Sequence, residues 1–329
     1  VSAQVVVSAN ENHENLHLPQ AELRLSDSDI ISLDSHFIRY TLADGKAQGD
    51  IIDTATSLPL SAGANRPVWV SVDVPTTAKA GIYRGSLRVQ SDAGKIDFPI
   101  ELEVMAAVLP APSEWKFHLD LWQHPQAVAR WHDVPVWSKE HFALMKPLMQ
   151  RLAHAGQKTI TTTLVHEAWN GQTYDAFPAM IEWIKRKDGS WYYDYRNFDA
   201  WVSFMNDEVG MKQARIHCYT MIPWSLKFRY YDETTASYMD AALRPGTDEY
   251  DAYWGRFLED FSKHLKAKGW LERTNIGIDE RPDELMRGAV ATLKKHAPAI
   301  GVASAINAPS SLTKEFADIS PIIQHSDGL

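Results

Sequence analysis

Apolar and polar residues alternate along the first third of the chain. Residues 66–75, 83–90 and 96–104 place apolar side chains at every second position, with turn signals at Lys79-Ala80-Gly81 and Asp92-Ala93-Gly94. Short alternating stretches at ~10-residue spacing predict an antiparallel β-sandwich of about immunoglobulin size over residues 1–108. Nothing in this part has the look of catalytic chemistry. Pro110 and Pro112 then exclude both helix interior and central strand, so residues 109–114 read as a linker.

Beyond the linker the period changes. Residues 138–155, 198–209, 248–268 and 283–296 carry apolar positions at three-to-four spacing, the pattern of amphipathic helices. Between them lie β-like runs at 117–124, 159–166, 214–220, 274–280 and 302–307, with a sixth candidate at 321–325. Strand followed by helix, repeated, predicts a parallel sheet with helical crossovers, and so a second domain over residues 115–329 built as a (β/α)8 barrel. That stretch is shorter than the ~250 residues of a typical barrel. The Trp-rich insertion at 169–195 shortens it further, so the barrel is expected to be incomplete in this chain, with a C-terminal segment or another chain completing it.

Composition narrows the partners. With 33 Lys+Arg against 42 Asp+Glu the formal charge is −9, which argues against nucleic acid and anionic membrane surfaces. No apolar run approaches the ~18 residues of a membrane helix, so membrane insertion is not expected. The single cysteine, Cys218, permits no intramolecular disulfide and reads as a packing residue. The 12 Trp and 12 Tyr suit ligands with apolar C–H faces, notably sugars, although core packing accounts for most of them.

Barrel chemistry belongs at the C-terminal ends of the strands. Those ends offer Asp120, Trp122 and His124 from the first, His166 and Trp169 from the second, Tyr219 and Trp224 from the third, and Asp279 and Glu280 from the fourth. In the first strand period-2 geometry places His118, Asp120, Trp122 and His124 on the inward face and Phe117, Leu119 and Leu121 against helices. His118 reads as part of a polar network filling the interior. Asp283 and Glu284 read as the cap and first turn of the next helix. A metal among His118, Asp120 and His124 is disfavoured by adjacent Trp122 and the lack of an acidic cluster. No zincin, phosphate-loop or nucleophile-elbow motif occurs, and no cofactor is called for.

Adjacent carboxylates on a regular strand point to opposite faces, so Asp279 and Glu280 share a pocket only if the backbone twists or bulges at the strand end. They are poorly placed to flank a glycosidic bond about 5 Å apart from separate elements, as a two-carboxylate retaining enzyme requires. They fit a substrate-assisted reaction better. There the substrate's 2-acetamido oxygen attacks, one carboxylate polarises the acetamido N–H, and its neighbour protonates the leaving oxygen. The acid, Glu280, is then expected to have a raised pKa from burial against aromatic walls and from the charge of Asp279. An ion pair between one of the acids and Arg281 is the bland alternative.

The segments His118-Leu119-Asp120-Leu121-Trp122-Gln123-His124-Pro125, Met221-Ile222-Pro223-Trp224, His264-Leu265-Lys266-Ala267-Lys268-Gly269-Trp270 and Ile278-Asp279-Glu280 together resemble glycoside hydrolase family 123, over roughly residues 65–329. The resemblance implies a retaining β-N-acetylgalactosaminidase acting on a glycan or glycolipid. It matches Asp279 to the residue that stabilises the oxazolinium and Glu280 to the general acid/base. It also implies a secreted or periplasmic protein, and further barrel strands that this sequence lacks. Asp120, Trp122, His124, His166, Trp169, Tyr219 and Trp224 are expected as substrate-binding residues from position alone. A non-catalytic carbohydrate-binding or adhesion protein on a truncated or decayed barrel, or a β-N-acetylglucosaminidase, stand as alternatives. A two-carboxylate glycosidase would need a nucleophile from beyond Leu329.

Overall fold

The computed structural model describes residues 1–307 and 310–322. The chain divides into two compact units, Val1–Pro110 and Ala111–Leu329.

The first unit is all β, with strands β1 (Ser2–Ser8), β2 (His13–His17), β3 (Ala21–Arg24), β4 (Ile30–Ala43), β5 (Lys46–Ile52), β6 (Ser57–Leu60), β7 (Asn65–Ser71), β8 (Gly81–Ser91) and β9 (Gly94–Val104). They form one nine-stranded antiparallel sheet in the order β1-β7-β4-β3-β8-β2-β6, with β5 on β4 and β9 on β8. Strands from opposite ends of that order, through Val7 and Leu60, bury side chains in the same core as Leu23, Phe37, Val68 and Leu87. The sheet therefore wraps over its own apolar face. Strand β4 makes this possible, since its first residues pair with β3, its middle with β7 and its last with β5.

The second unit contains α1 (Pro125–His132), α2 (Lys139–His154), β10 (Thr159–Thr163), β11 (Glu182–Lys185), β12 (Trp191–Asp194), α3 (Arg196–Asp207), β13 (Arg215–Tyr219), β14 (Lys227–Asp232), β15 (Ser237–Ala242), α4 (Asp248–Lys268), β16 (Thr274–Asp279), α5 (Asp283–His296), β17 (Gly301–Ile306) and β18 (Asp318–Pro321). Its centre is a five-stranded parallel sheet, β10-β13-β16-β17-β18. Ile160, Ile216, Cys218, Ile276 and Val302 are buried in one core with Trp201 of α3, Trp254 and Phe257 of α4, and Leu293 of α5. The expected insertion folds as the β11–β12 hairpin, which joins β14 and β15 in a separate four-stranded sheet. Strand β18 begins at Asp318, ahead of the expected sixth strand, and positions 323–325 of that expectation lie outside the described residues.

The stretch expected to be the first barrel strand is extended but not a laddered strand. A single parallel bridge links Leu119 to Gln157. After it, side-chain amides replace the backbone ladder. Gln157 accepts from Leu121 N at 2.9 Å and donates to Leu121 O at 3.0 Å, and Gln123 Oε1 accepts from Thr161 N at 2.8 Å. Phe117 and Leu121, expected against helices, are instead exposed. Laid flat, this stretch and β18 would stand five strand spacings, about 24 Å, apart. Yet His118 Nδ1 lies 3.3 Å from Asp318 Oδ2, so the sheet curls until its two margins share a polar interior. Among the described residues the sheet does not close.

Candidate active site

Strand β16 presents Ile276 and Ile278 to the core and turns Gly277 and Asp279 to the concave side. At Glu280 the backbone enters the left-handed region, with φ at +43°, while its N–H still donates to Ala305 O at 2.9 Å. A non-glycine residue held there stores strain, and that turn breaks the alternation which would have sent Glu280 into the core. The two acids consequently differ in setting. Asp279 is half-buried and Glu280 is exposed. Burial, then the charge of Glu280, pushes the Asp279 carboxyl above its ordinary value, opposed by the indole N–H groups of Trp224 and Trp169 and the charge of Arg281. Trp169 Nε1 nevertheless makes no hydrogen bond of full geometry. The burial expected for Glu280 thus falls on its neighbour.

Three rings gather beside Asp279. Trp122, Trp169 and Tyr219 pack with centroids 5.1, 4.9 and 5.0 Å apart. Tyr219 pairs in register with Gly277, and its ring lies where a side chain at Gly277 would stand. The Tyr219 phenol is held well above its usual value by burial and by the carboxylates of Asp120, Asp279 and Asp318. Trp224 is 36% exposed and carries the Arg281 guanidinium 4.7 Å from its ring centroid. Its loop is anchored by Tyr250 Oη, which donates to Met221 O at 2.7 Å, and by Trp224 N, which donates to Ala168 O at 3.3 Å. Among the described residues Arg281 makes no salt bridge with either acid. Arg281 Nε is buried without a partner, and burial lowers the guanidinium pKa.

Asp120 is drawn into the interior. Its Oδ2 accepts from His217 Nδ1 at 3.1 Å, and its Oδ1 is buried without a partner. His217 Nε2 lies 3.3 Å from Asn275 Nδ2 and 3.5 Å from Asp318 Oδ2, and His118 Nε2 lies 2.9 Å from Thr159 Oγ1. His124 stacks on Phe177 at 3.5 Å and donates from Nε2 to Ala176 O at 3.2 Å, with burial lowering its pKa. Phe177 meets Trp169 edge-on at 4.7 Å, which joins His124 to the ring cluster. His166 lines a different cavity of about 270 Å³, with Glu182, Arg229 and Tyr238. Burial and Arg229 lower its pKa. Pro282, not Asp283, occupies the cap position of α5, and Asp283 and Glu284 pair with Arg287 and Arg244.

Three residues escape the reading of strand ends: Glu167, Phe177 and His217. The parity of β13 could have signalled His217, which shares a face with Tyr219. Phe177 has no local signal, because its place depends on where the loop returns, whereas Arg281, read as an ion-pair partner of the acids, lies over Trp224 instead.

The family model for the glycoside hydrolase 123 catalytic domain matches residues 122–327, and that for the family's N-terminal domain matches residues 1–91. No curated protein sequence matches the chain. A solved structure of a family 123 glycoside hydrolase from Clostridium perfringens, described for glycolipid glycan hydrolysis, is similar at 28% identity with a TM-score of 0.91. The similarity covers 99% of this chain and 61% of that one.

Proposed function

The chain belongs to glycoside hydrolase family 123, and from that premise we propose that it removes a terminal β-linked N-acetylgalactosamine from a glycan or glycolipid, with retention and by substrate assistance. The observation that carries this reading is the unequal pair at the end of β16. A carboxyl pushed up by burial is a strong acceptor, suited to the acetamido N–H as positive charge develops on that nitrogen. Glu280, turned outward by its left-handed backbone, is open to the leaving oxygen. The rings of Trp122, Trp169 and Tyr219 offer the apolar wall such a sugar needs.

We further propose that the curled parallel sheet is the larger part of a (β/α)8 barrel, completed by residues outside those described. The contact between its margins, His118 to Asp318, supports that reading. We also propose a secreted or periplasmic setting, on the strength of the family resemblance alone.

The test is release of 4-nitrophenol from the β-N-acetylgalactosaminide, the β-N-acetylglucosaminide and the β-galactoside. Turnover of the first above the others, with inhibition by a galacto-configured thiazoline, is the expected result. Comparable turnover of the β-galactoside, or a stable ester formed on Asp279 by a 2-deoxy-2-fluoro glycoside, would overturn substrate assistance. Binding of the sugar with no turnover would favour the carbohydrate-binding alternative.

A further inference from the structure

Glu167 follows β10 by four residues, at the edge where a parallel sheet places its chemistry, yet both of its oxygens are occupied. Oε1 accepts from Phe177 N and Oε2 from Gly171 N, each at 2.7 Å. Its own N–H donates to Phe177 O at 2.8 Å and its carbonyl accepts from Asn170 N at 3.0 Å. No cation shares the carboxylate among the described residues. Two short bonds from backbone amides to an ionised carboxylate are of the stronger, charge-assisted kind.

The loop that these bonds hold is strained. Glu167 and Asn170 both sit at φ +52° and Gly171 at φ +73°. Left-handed backbone at two non-glycine residues persists only where the surroundings over-determine it. The loop also carries working parts of the site. Trp169, 5% exposed, forms one wall of the ring cluster, and Phe177 supports both Trp169 and His124.

We infer that Glu167 is a positioning residue, whose carboxylate staples the 167–177 loop at its turn and at its return and so fixes the Trp169 wall beside Asp279. It acts through Trp169 and does not touch the reacting atoms. The catalytic part of this inference rests on the proposed glycosidase activity, while the staple itself does not.

Hydrogen exchange on the wild-type chain tests the staple directly. The Gly171 and Phe177 amides should be protected well beyond those of Thr173 and Tyr174, and Glu167→Gln, which sets an NH₂ against a backbone N–H, should speed at least one of them about tenfold. Equal exchange of all four amides in the wild type, or protection unchanged in Glu167→Gln, overturns the inference. The catalytic consequence is read on the 4-nitrophenyl β-N-acetylgalactosaminide. Displacing the wall by about 1 Å should lower kcat/KM on the order of 10²-fold. In a double-mutant cycle most of that loss should vanish on a Trp169→Phe background. Additive losses would show that Glu167 acts elsewhere and overturn it. If the wild type cleaves no such glycoside, the substrate reading falls and the exchange data still decide the staple.

Discussion

Gly277→Ala is the sharpest probe of how the site is built. An added Cβ would stand 2.6 to 2.7 Å from three atoms of the Tyr219 ring, whereas ordinary contact begins near 3.4 Å. The ring would have to withdraw by about 0.8 Å, and it has nowhere easy to go. Tyr219 is 3% exposed and packed against Trp122 and Trp169 on its other sides. Overpacking of this kind costs about 1–3 kcal/mol. For a unit of this size each kcal/mol lowers Tm by roughly 2–4 °C, so a fall of about 2–12 °C is expected by calorimetry. Displacing a wall residue by this much should also lower kcat/KM toward the 10²-fold scale of a ~1 Å misplacement. If the ring is the cause, the stability cost of Gly277→Ala should shrink below about 0.5 kcal/mol on a Tyr219→Ala background, where the crowding is gone. An unchanged Tm for Gly277→Ala, or the same cost with and without the Tyr219 ring, would refute the packing argument.

Asp279→Asn should abolish most turnover while stabilising the fold at neutral pH. The folded carboxyl lies above its ordinary value of 3.8, so the wild type's contribution is fully present below that value and lost as pH rises through the folded pKa. Denaturant titrations from about pH 3 to about pH 7 should show the variant's advantage growing with pH, and a wild type more stable than the variant at about pH 7 would contradict it. Glu280→Gln should lower the rate about 10²–10⁴-fold for a sugar leaving group, and far less for 4-nitrophenol, which departs without protonation. Equal losses on both substrates would rule out the acid role. Arg281→Met keeps an aliphatic stem against Trp224 but removes a charge that holds the Asp279 pKa down. The acidic limb of the pH–rate profile should therefore move to higher pH, with Arg281→Lys in between, and an unmoved limb would exclude Arg281 from tuning Asp279.

The helices were legible where periodicity and end signals agreed. Residues 248–268 carry a continuous apolar stripe, begin after Thr247, whose side chain accepts from Tyr250 N, and end at left-handed Gly269. The stretch at 117–124 deceived in part. Its period of two set Asp120 inward and brought His118, itself exposed, against Asp318, but Gln123 and Gln157 took the place of a backbone ladder. Strands β14 and β15 were missed because they pair with a hairpin inside the expected insertion, a contact no local pattern encodes. The Asp279–Glu280 pair shows the limit most clearly. Alternation required a break at the strand end, and the break is there, but its form is a left-handed glutamate that local propensity disfavours. Local rules are expected to fail at sites where strain serves function.

The division of labour between the two acids gains force from what the neighbouring acids do. A double displacement through a glycosyl ester needs a second carboxylate about 5 Å from the acid, on the other side of the bond. Among the described residues, the other acids that the sheet carries inward or to its C-terminal edge each face a neighbouring group, although Asp120 Oδ1 and Asp318 Oδ2 make no hydrogen bond. Asp120 accepts from His217, Asp318 sits against His118 and His217, and both oxygens of Glu167 are bound by loop amides. Among the described residues that leaves Asp279 and Glu280, adjacent in sequence at one strand end and so poorly placed to flank one bond. The proposed substrate-assisted reaction asks for no second carboxylate, because the substrate brings its own nucleophile. On that proposal the half-buried Asp279 would meet the charge that develops on the acetamide, and the exposed Glu280 the oxygen that leaves.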